Sequence, residues 1–171
     1  ALCSVVPMAI RPAQKALMRL MGREAAVLGA DTLPRDLLAL RYPSPETLGT
    51  DRIANAIAAR HLFGCPVIAV DFGTATTFDV VDADGAFIGG VIAPGISALA
   101  DYLHERTAQL PRIRLQEPRA AIGRNTVEAM RVGTMTGYRG LIREVLHGIQ
   151  EQLGTSGTRT VATGGYARQV A

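Results

Sequence analysis

Three segments of strand-forming residues follow one another with almost no linker, and they constrain the fold more than any other part of the sequence. Val67–Val70 is fully apolar, Thr76–Val81 is rich in threonine and valine, and Ala86–Ile92 follows the turn Asp82-Ala-Asp-Gly85. β-Branched residues favour strands, and an Asp-Gly pair is typical of a tight hairpin turn. The sequence therefore predicts three consecutive antiparallel strands.

The segments around these strands follow helical or extended patterns. Apolar residues at helical spacing predict helices at Arg11–Met21, Thr50–Phe63, Ile96–Arg106 and Asn125–Leu153. Thr50 is expected to cap the second of these, and Gly133, Gly137 and Gly140 are expected to interrupt the last. Short strands are expected at Leu2–Val6, Glu24–Gly29 and Thr158–Thr163, with a loop at Pro111–Pro118. The whole pattern predicts an α/β fold.

The composition excludes several classes of protein. Lys15 is the only lysine and is not followed by Ser or Thr, so neither a P-loop nor a protein-kinase site can be built. The net charge of +3 is not gathered into a basic stripe, which argues against a nucleic-acid platform. No apolar run reaches the roughly 18 residues that a membrane span needs. We therefore expect neither nucleic acid nor a membrane as a partner.

The cysteines and histidines do not suggest a metal site. Cys3 and Cys65 are too few for a disulfide framework or a zinc site, and both are expected to be buried as small hydrophobic residues. His61, His104 and His147 lack the spacing of metal ligands and are expected on the surface or on helix faces. Free cysteines are typical of a reducing compartment, so the expected location is cytoplasmic.

The segment Asp71-Phe-Gly-Thr-Ala-Thr-Thr77 carries the densest chemical signal. A carboxylate at the end of a buried strand is followed by a glycine and three hydroxyl side chains in a tight reversal. Glycine allows backbone N–H groups to approach a phosphate, threonine hydroxyls add donors, and the carboxylate is suited to a cation that binds the phosphate. This arrangement is typical of the actin-like ATPase fold. A threonine-rich hairpin with an aspartate closing its turn remains the alternative.

A second signal lies in Tyr42-Pro-Ser-Pro-Glu-Thr-Leu-Gly-Thr-Asp-Arg52. Asp51 and Arg52 are neighbours at a helix start and point roughly 100° apart, so they can contact different parts of one ligand. Arginine is suited to a carboxylate, and aspartate can accept a proton from a hydroxyl. The pair predicts a substrate that carries both groups. An ordinary helix start, with a first-turn aspartate and an exposed arginine, is the alternative.

Further small-residue motifs are less specific. Gly89-Gly-Val-Ile-Ala-Pro-Gly95 allows close packing against a ligand or another subunit, or forms a simple turn. Gly123-Arg-Asn-Thr126 marks a helix N-terminus with spare N–H donors, unless Asn125 or Thr126 merely caps that helix. Ala162-Thr-Gly-Gly165 ends a strand in a glycine pair that admits a flat ring.

In their order and spacing, these motifs resemble those of the type III pantothenate kinase family, from Ser4-Val-Val-Pro7 to Thr163-Gly-Gly165. The resemblance implies actin-like ATPase (ribonuclease H-like) domains and a homodimer. It implies ATP-dependent phosphorylation of pantothenate to 4'-phosphopantothenate, the first step of coenzyme A biosynthesis. The implied cofactors are ATP, Mg²⁺ and a monovalent cation, K⁺ or NH₄⁺.

The same resemblance assigns roles to individual residues. The pantothenate site would comprise Tyr42, Gly49, Thr50, Asp51 and Arg52, with Asp51 as the general base and Thr126 reaching the substrate across the dimer interface. Asp71 would hold the monovalent cation. ATP would contact Gly73, Thr74, Thr76, Gly164 and Gly165.

One family motif has no counterpart in the chain. The family begins with a strand and an Asp-x-Gly-Asn-Thr loop that clamps phosphate, and the sequence contains no such loop. The resemblance therefore implies an incomplete first domain at residues 1–64 and a second domain at residues 65–171 without its last helices. We expect this chain alone to be inactive, because phosphate donors from both domains are needed.

Other functions on the same fold stay open at this point. A sugar kinase of the superfamily is one alternative, although it would carry a polyol-binding set of Asn, Asp and Glu in place of Tyr42 and Arg52. A non-enzymatic accessory factor for a transcription regulator is another, although intact Asp51 and Asp71 argue against a decayed site. A purely structural actin-like domain is the third.

Overall fold

The computed structural model describes residues 1–170. Its helices are α1 (Pro7–Met21), α2 (Thr50–Phe63), α3 (Ile96–Glu105), α4 (Thr126–Leu153) and α5 (Ala167–Val170). Its strands are β1 (Ala39–Leu40), β2 (Val67–Phe72), β3 (Ala75–Val81), β4 (Ala86–Pro94) and β5 (Arg159–Thr163), and a 3₁₀ turn covers Pro45–Thr47. The expected α/β class is confirmed.

The strands form one five-stranded sheet in the order β1-β4-β3-β2-β5. The predicted run of three strands forms its centre. Links of a few residues join β2 to β3 and β3 to β4, and such short links connect only antiparallel neighbours. β1 runs parallel to β4, with Ala39 opposite Ala86 and Leu40 opposite Phe87. The sheet is therefore mixed, and its first strand was not predicted from the sequence.

The chain divides into two compact units, and each is discontinuous in sequence. Unit 1 comprises residues 1–69 and 79–89, and unit 2 comprises residues 70–78 and 90–171. The core of unit 1 includes Leu38, Ile53, Ala56, Val67 and Phe87, and that of unit 2 includes Phe72, Phe78, Ile96, Met135 and Tyr138. Full burial of each large apolar side chain stabilises its unit by about 1.5–3 kcal/mol. The predicted domain boundary at residues 64 and 65 stays a prediction.

Helix α2 has the predicted bounds, but its cap differs by one residue. Gly49 is the N-cap and Thr50 is the first helical residue, so the prediction of Thr50 as the cap is wrong. Gly64 ends the helix as expected, with its N–H donating to the carbonyl of Arg60 at 2.9 Å. The backbone at the start of α2 therefore lacks a side-chain cap.

Helix α4 continues through its glycines, so the predicted interruption is wrong. It runs without a break over Thr126–Leu153, between caps at Asn125 and Gly154. Asn125 Oδ1 accepts from the backbone N–H of Glu128 at 2.9 Å, which confirms the capping alternative for this motif. Tertiary packing of Met130, Met135 and Ile142 outweighs the low helix propensity of glycine.

The N-terminal segment contains less strand than predicted. Leu2 and Val27 form a single parallel bridge, and neither Leu2–Val6 nor Glu24–Gly29 is an extended strand. Helix α1 begins at Pro7 because proline fits the first helical turn, where no N–H is needed. Much of its apolar face lies on the surface, and Leu20 is 82% exposed.

The prediction that both cysteines are buried is wrong. Cys3 follows the single bridge near the start of the chain, and Cys65 lies in the turn between α2 and β2, so both are exposed. Within residues 1–170, no helix is long and apolar enough to cross a membrane.

Substitution of a glycine inside α4 tests whether the helix has free space around that position. A Cβ built on Gly137 meets no heavy atom within 4 Å, so Gly137→Ala should only reduce backbone entropy of the unfolded chain. We expect the free energy of unfolding to rise by about 0.5–1 kcal/mol in urea denaturation followed by circular dichroism.

The same substitution at the end of the helix is the matched control. Gly154 has a φ of 58°, and alanine is strained in this left-handed region. Gly154→Ala should therefore lower the free energy of unfolding by about 1 kcal/mol. Equal destabilisation by both substitutions would show that Gly137 is packed against a neighbour.

Candidate functional site

Phe87 joins two of the predicted substrate residues within unit 1. Its ring is fully buried on β4, beside the segment that carries Tyr42. The Tyr42 and Phe87 ring centroids lie 5.9 Å apart in an edge-to-face arrangement. Arg52 Cζ lies 5.6 Å from the centroid of the same ring, within the range of a cation–π contact. A buried aromatic ring therefore supports both the Tyr42 ring and the Arg52 guanidinium.

A buried ion pair holds the same arginine. Arg52 Nε donates to Asp79 Oδ1 at 2.6 Å, and the two side chains are 10% and 0% exposed. Asp79 belongs to β3, between Phe78 and Val80, which are also buried. Arg52 Nη2 is buried and has no hydrogen-bond acceptor among the described residues. One edge of the guanidinium is thus occupied, while one terminal amino group lacks a partner.

The first turn of α2 carries the predicted general base. Asp51 is exposed, and its Oδ1 accepts from the backbone N–H of Arg52 at 2.8 Å. A Cβ built on Gly49 would lie 2.6 Å from that oxygen, so only glycine leaves room for this carboxylate position. Thr50 Oγ1 is buried without a hydrogen-bond partner in residues 1–170. Asp51 is therefore open to solvent, whereas Arg52 is buried, unlike the exposed arginine of the ordinary helix-start alternative.

The turn between β2 and β3 forms a close-packed site within unit 2. Gly73 N–H donates to Ala75 O at 3.2 Å, and Gly95 N–H donates to Thr74 O at 3.1 Å. A Cβ built on Gly95 would overlap the carbonyl oxygens of Gly73 and Thr74. Gly95 therefore packs against the predicted phosphate-binding turn, while the Thr74 side chain stays exposed.

Gly164, which follows β5, lies against the end of β2. Gly164 has a φ of 92°, and a Cβ built on it would overlap Asp71 Oδ1 and the backbone of Phe72. Tyr166 N–H donates to Phe72 O at 3.1 Å. A Cβ on Gly165 meets nothing within 4 Å. Unit 2 thus brings the end of β2 and the predicted adenosine motif together, although they are distant in sequence.

Thr76 differs from the other predicted ATP residues because it is buried. Its side chain is 0% exposed, and its hydroxyl shares a hydrogen bond with the Tyr138 hydroxyl. Burial raises the pKa of Tyr138, and the hydrogen bond to Thr76 opposes that rise. The Thr76 hydroxyl is therefore engaged inside the core of unit 2. Its predicted role stays a prediction, as does that of Thr126, which is exposed at the first residue of α4.

The residues around Asp71 suit a cation only in part. Across the described part of the chain, no group of three or more His, Cys, Asp or Glu residues forms a candidate metal site. Asp71 offers one half-buried carboxylate at the end of β2. Magnesium is commonly held by one or two carboxylates together with substrate phosphates. The donor set therefore fits a cation whose coordination a phosphate ligand completes.

The site residues predicted from the sequence do not include Asp79, Phe87 or Tyr138. Asp79 had a usable signal, because an aspartate among apolar residues of a central strand must be paired when it is buried. Phe87 and Tyr138 had no such signal, since a buried aromatic residue is ordinary in a core.

The chain is similar to one family over most of its length. A sequence profile described as type III pantothenate kinase matches residues 1–148. A type III pantothenate kinase of Methylacidiphilum infernorum is 46% identical over 173 residues, covering 99% of this chain and 60% of the relative. Those of Akkermansia muciniphila and Thermomicrobium roseum are 44% and 51% identical and are covered over 67% and 51% of their length. The chain thus spans between half and two thirds of these relatives.

A solved structure supports the fold. A Campylobacter jejuni protein described as a Baf family transcriptional activator has a TM-score of 0.58 to this chain, covering 97% of it and 68% of the other. The two sequences are 20% identical, so the likeness extends to the fold alone.

Because Gly164 lies so close to Asp71, a side chain at position 164 should destabilise the fold, whereas one at position 165 should not. Gly164→Ala should lower the free energy of unfolding by about 1–3 kcal/mol, because the methyl group overlaps Asp71 and Phe72 and the φ is unfavourable. Urea denaturation measures the change. Gly165→Ala is the control and should stay within about 0.5 kcal/mol of the unsubstituted chain. A neutral Gly164→Ala would contradict the packing described for this turn.

Proposed function

The chain belongs to the type III pantothenate kinase family, and on that basis we propose that its protein transfers the γ-phosphoryl group of ATP to the primary hydroxyl of pantothenate. The product is 4'-phosphopantothenate, and the reaction is the first step of coenzyme A biosynthesis. The observation that carries the proposal is the cluster of Tyr42, Asp51 and Arg52 in unit 1, with one exposed carboxylate beside one buried guanidinium.

The chemistry of pantothenate matches this cluster. Pantothenate carries a carboxylate at one end and a primary hydroxyl at the other. We assign the carboxylate to Arg52, whose Nη2 lacks an acceptor, and the hydroxyl to the exposed Asp51. Phosphoryl transfer depends mostly on positioning and charge neutralisation, so Asp51 acts chiefly by aligning the hydroxyl and then accepts its proton.

The nucleotide is assigned to residues of unit 2. Gly73 and Thr74 are proposed to contact the phosphates, and Gly164 and Gly165 the adenosine, because close backbone approach favours glycine at these positions. Asp71 is proposed to hold K⁺ or NH₄⁺, and Mg²⁺ to accompany the ATP. A bound cation would supply the positive charge that a site without a nearby lysine otherwise lacks.

We further propose that the domains have the actin-like arrangement and that the protein is cytoplasmic. We also propose a homodimer in which Thr126 reaches the substrate bound by the other protomer. The relatives named type III pantothenate kinase support a pantothenate kinase over a sugar kinase or an accessory factor. Neither alternative is favoured by a feature of the site.

The general-base assignment is tested with protein expressed from the full reading frame that encodes this chain. Asp51→Asn removes the proton acceptor but keeps the size of the side chain. We expect kcat in an ATP assay coupled to ADP formation to fall by about 10²–10⁴-fold, with the fold retained by circular dichroism.

Asp101→Asn on the exposed face of α3 is the matched control, and its kcat should be unchanged. Turnover of Asp51→Asn close to that of the control would refute the role of Asp51. An unsubstituted protein that fails to phosphorylate pantothenate would refute the proposed function itself.

A further inference from the structure

Asp79, an acidic residue among the apolar residues of β3, has no role in the reaction proposed above. Asp79 is completely buried on β3, where both sequence neighbours are also buried. A carboxylate in such surroundings costs free energy unless it is paired. It forms an ion pair with Arg52, which lies 27 residues earlier in the chain.

The pair fixes the orientation of Arg52 from one edge. A guanidinium can bind a carboxylate through Nε and one terminal nitrogen, or through both terminal nitrogens. Here Asp79 Oδ1 receives the hydrogen bond from Nε at 2.6 Å, and Nη2 keeps no acceptor in the described structure. The hydrogen bond to Asp79 therefore uses Nε, and the terminal nitrogen Nη2 is left without an acceptor.

Phe87 restrains the same group from its face. The guanidinium carbon lies 5.6 Å from the Phe87 ring centroid, and the Tyr42 ring contacts the same Phe87 ring in an edge-to-face arrangement. A planar group held along one edge and over one face has little freedom to rotate. The remaining donor of Arg52 is thus held in one direction before a substrate arrives.

We propose that Asp79 is a positioning residue for the substrate site. By holding Arg52 Nε over Phe87, it leaves Nη2 as a directed donor for the substrate carboxylate and sets the preference for substrates that carry one. Because Asp79 neutralises the arginine charge, recognition depends on the direction of the hydrogen bond more than on net charge. The inference rests on the proposed phosphorylation of pantothenate and adds a residue and a specificity to it.

The test compares pantothenate with its alcohol analogue, in which a hydroxymethyl group replaces the carboxylate. In protein from the full reading frame, Asp79→Asn should raise the KM for pantothenate about tenfold, the loss expected for one ordinary hydrogen bond. The KM for ATP should change less than about twofold, and the KM for the alcohol should change equally little. The preference for pantothenate over the alcohol should therefore fall about tenfold.

Two further variants separate positioning from a structural effect. Arg52→Lys should lose the same preference, and adding Asp79→Asn to it should cause little further loss, because both act through one group. Asp84→Asn is the matched control, because Asp84 also pairs with an arginine, Arg41, but on the surface. The preference of this variant for pantothenate over the alcohol should be unchanged. An unchanged preference in Asp79→Asn, or an equal loss with both substrates, would overturn the inference.

A measurement on the unsubstituted protein covers the case in which Asp79→Asn does not fold. The Arg52 side-chain NMR signals are assigned by their loss in Arg52→Lys. The Nε proton should exchange slowly with and without pantothenate, while the Nη2 protons should slow only when pantothenate is added. Fast exchange at Nε, or no change at Nη2, would overturn the inference. A wild-type protein that binds no pantothenate would overturn both the inference and the proposed function, whereas wild-type activity with unchanged Asp79→Asn specificity overturns the inference alone.

Discussion

The buried ion pair between Arg52 and Asp79 is the interaction on which the substrate site of unit 1 depends. It joins the start of α2 to β3 and sets the guanidinium over Phe87, which in turn supports Tyr42. Two charges in an apolar interior are tolerated only while they remain paired, so loss of either partner leaves the other unsatisfied. The same constraint that keeps the pair together orients the group that we assign to substrate binding.

Close packing has the corresponding role in unit 2. Gly95 and Gly164 lie so near the turn of Gly73 and Thr74 and the carboxylate of Asp71 that a side chain on either would overlap backbone or oxygen atoms. The site therefore requires glycine at positions 95 and 164, where any side chain would overlap its neighbours. Thr76, which stands beside this turn in sequence, instead faces the core and shares a hydrogen bond with Tyr138.

Local features of the fold were predictable, and long-range pairing was not. The bounds of α2, the central strands and the cap at Asn125 follow from residues within a few positions of one another. The cap at Gly49, the unbroken α4 and the exposed cysteines depend on packing that no short window contains. Likewise Asp51 and Arg52 were identified from their own motif, but Asp79 and Phe87 join the site only through the sheet.

The most direct test of this account is a crystal structure, with pantothenate bound, of the protein expressed from the full reading frame. The pantothenate carboxylate should lie within about 3 Å of Arg52 Nη2, the ordinary distance of such a hydrogen bond, while Nε still donates to Asp79. The primary hydroxyl should lie beside Asp51. Pantothenate bound away from Tyr42 and Arg52, or a carboxylate held by other residues while Nη2 stays without an acceptor, would contradict it.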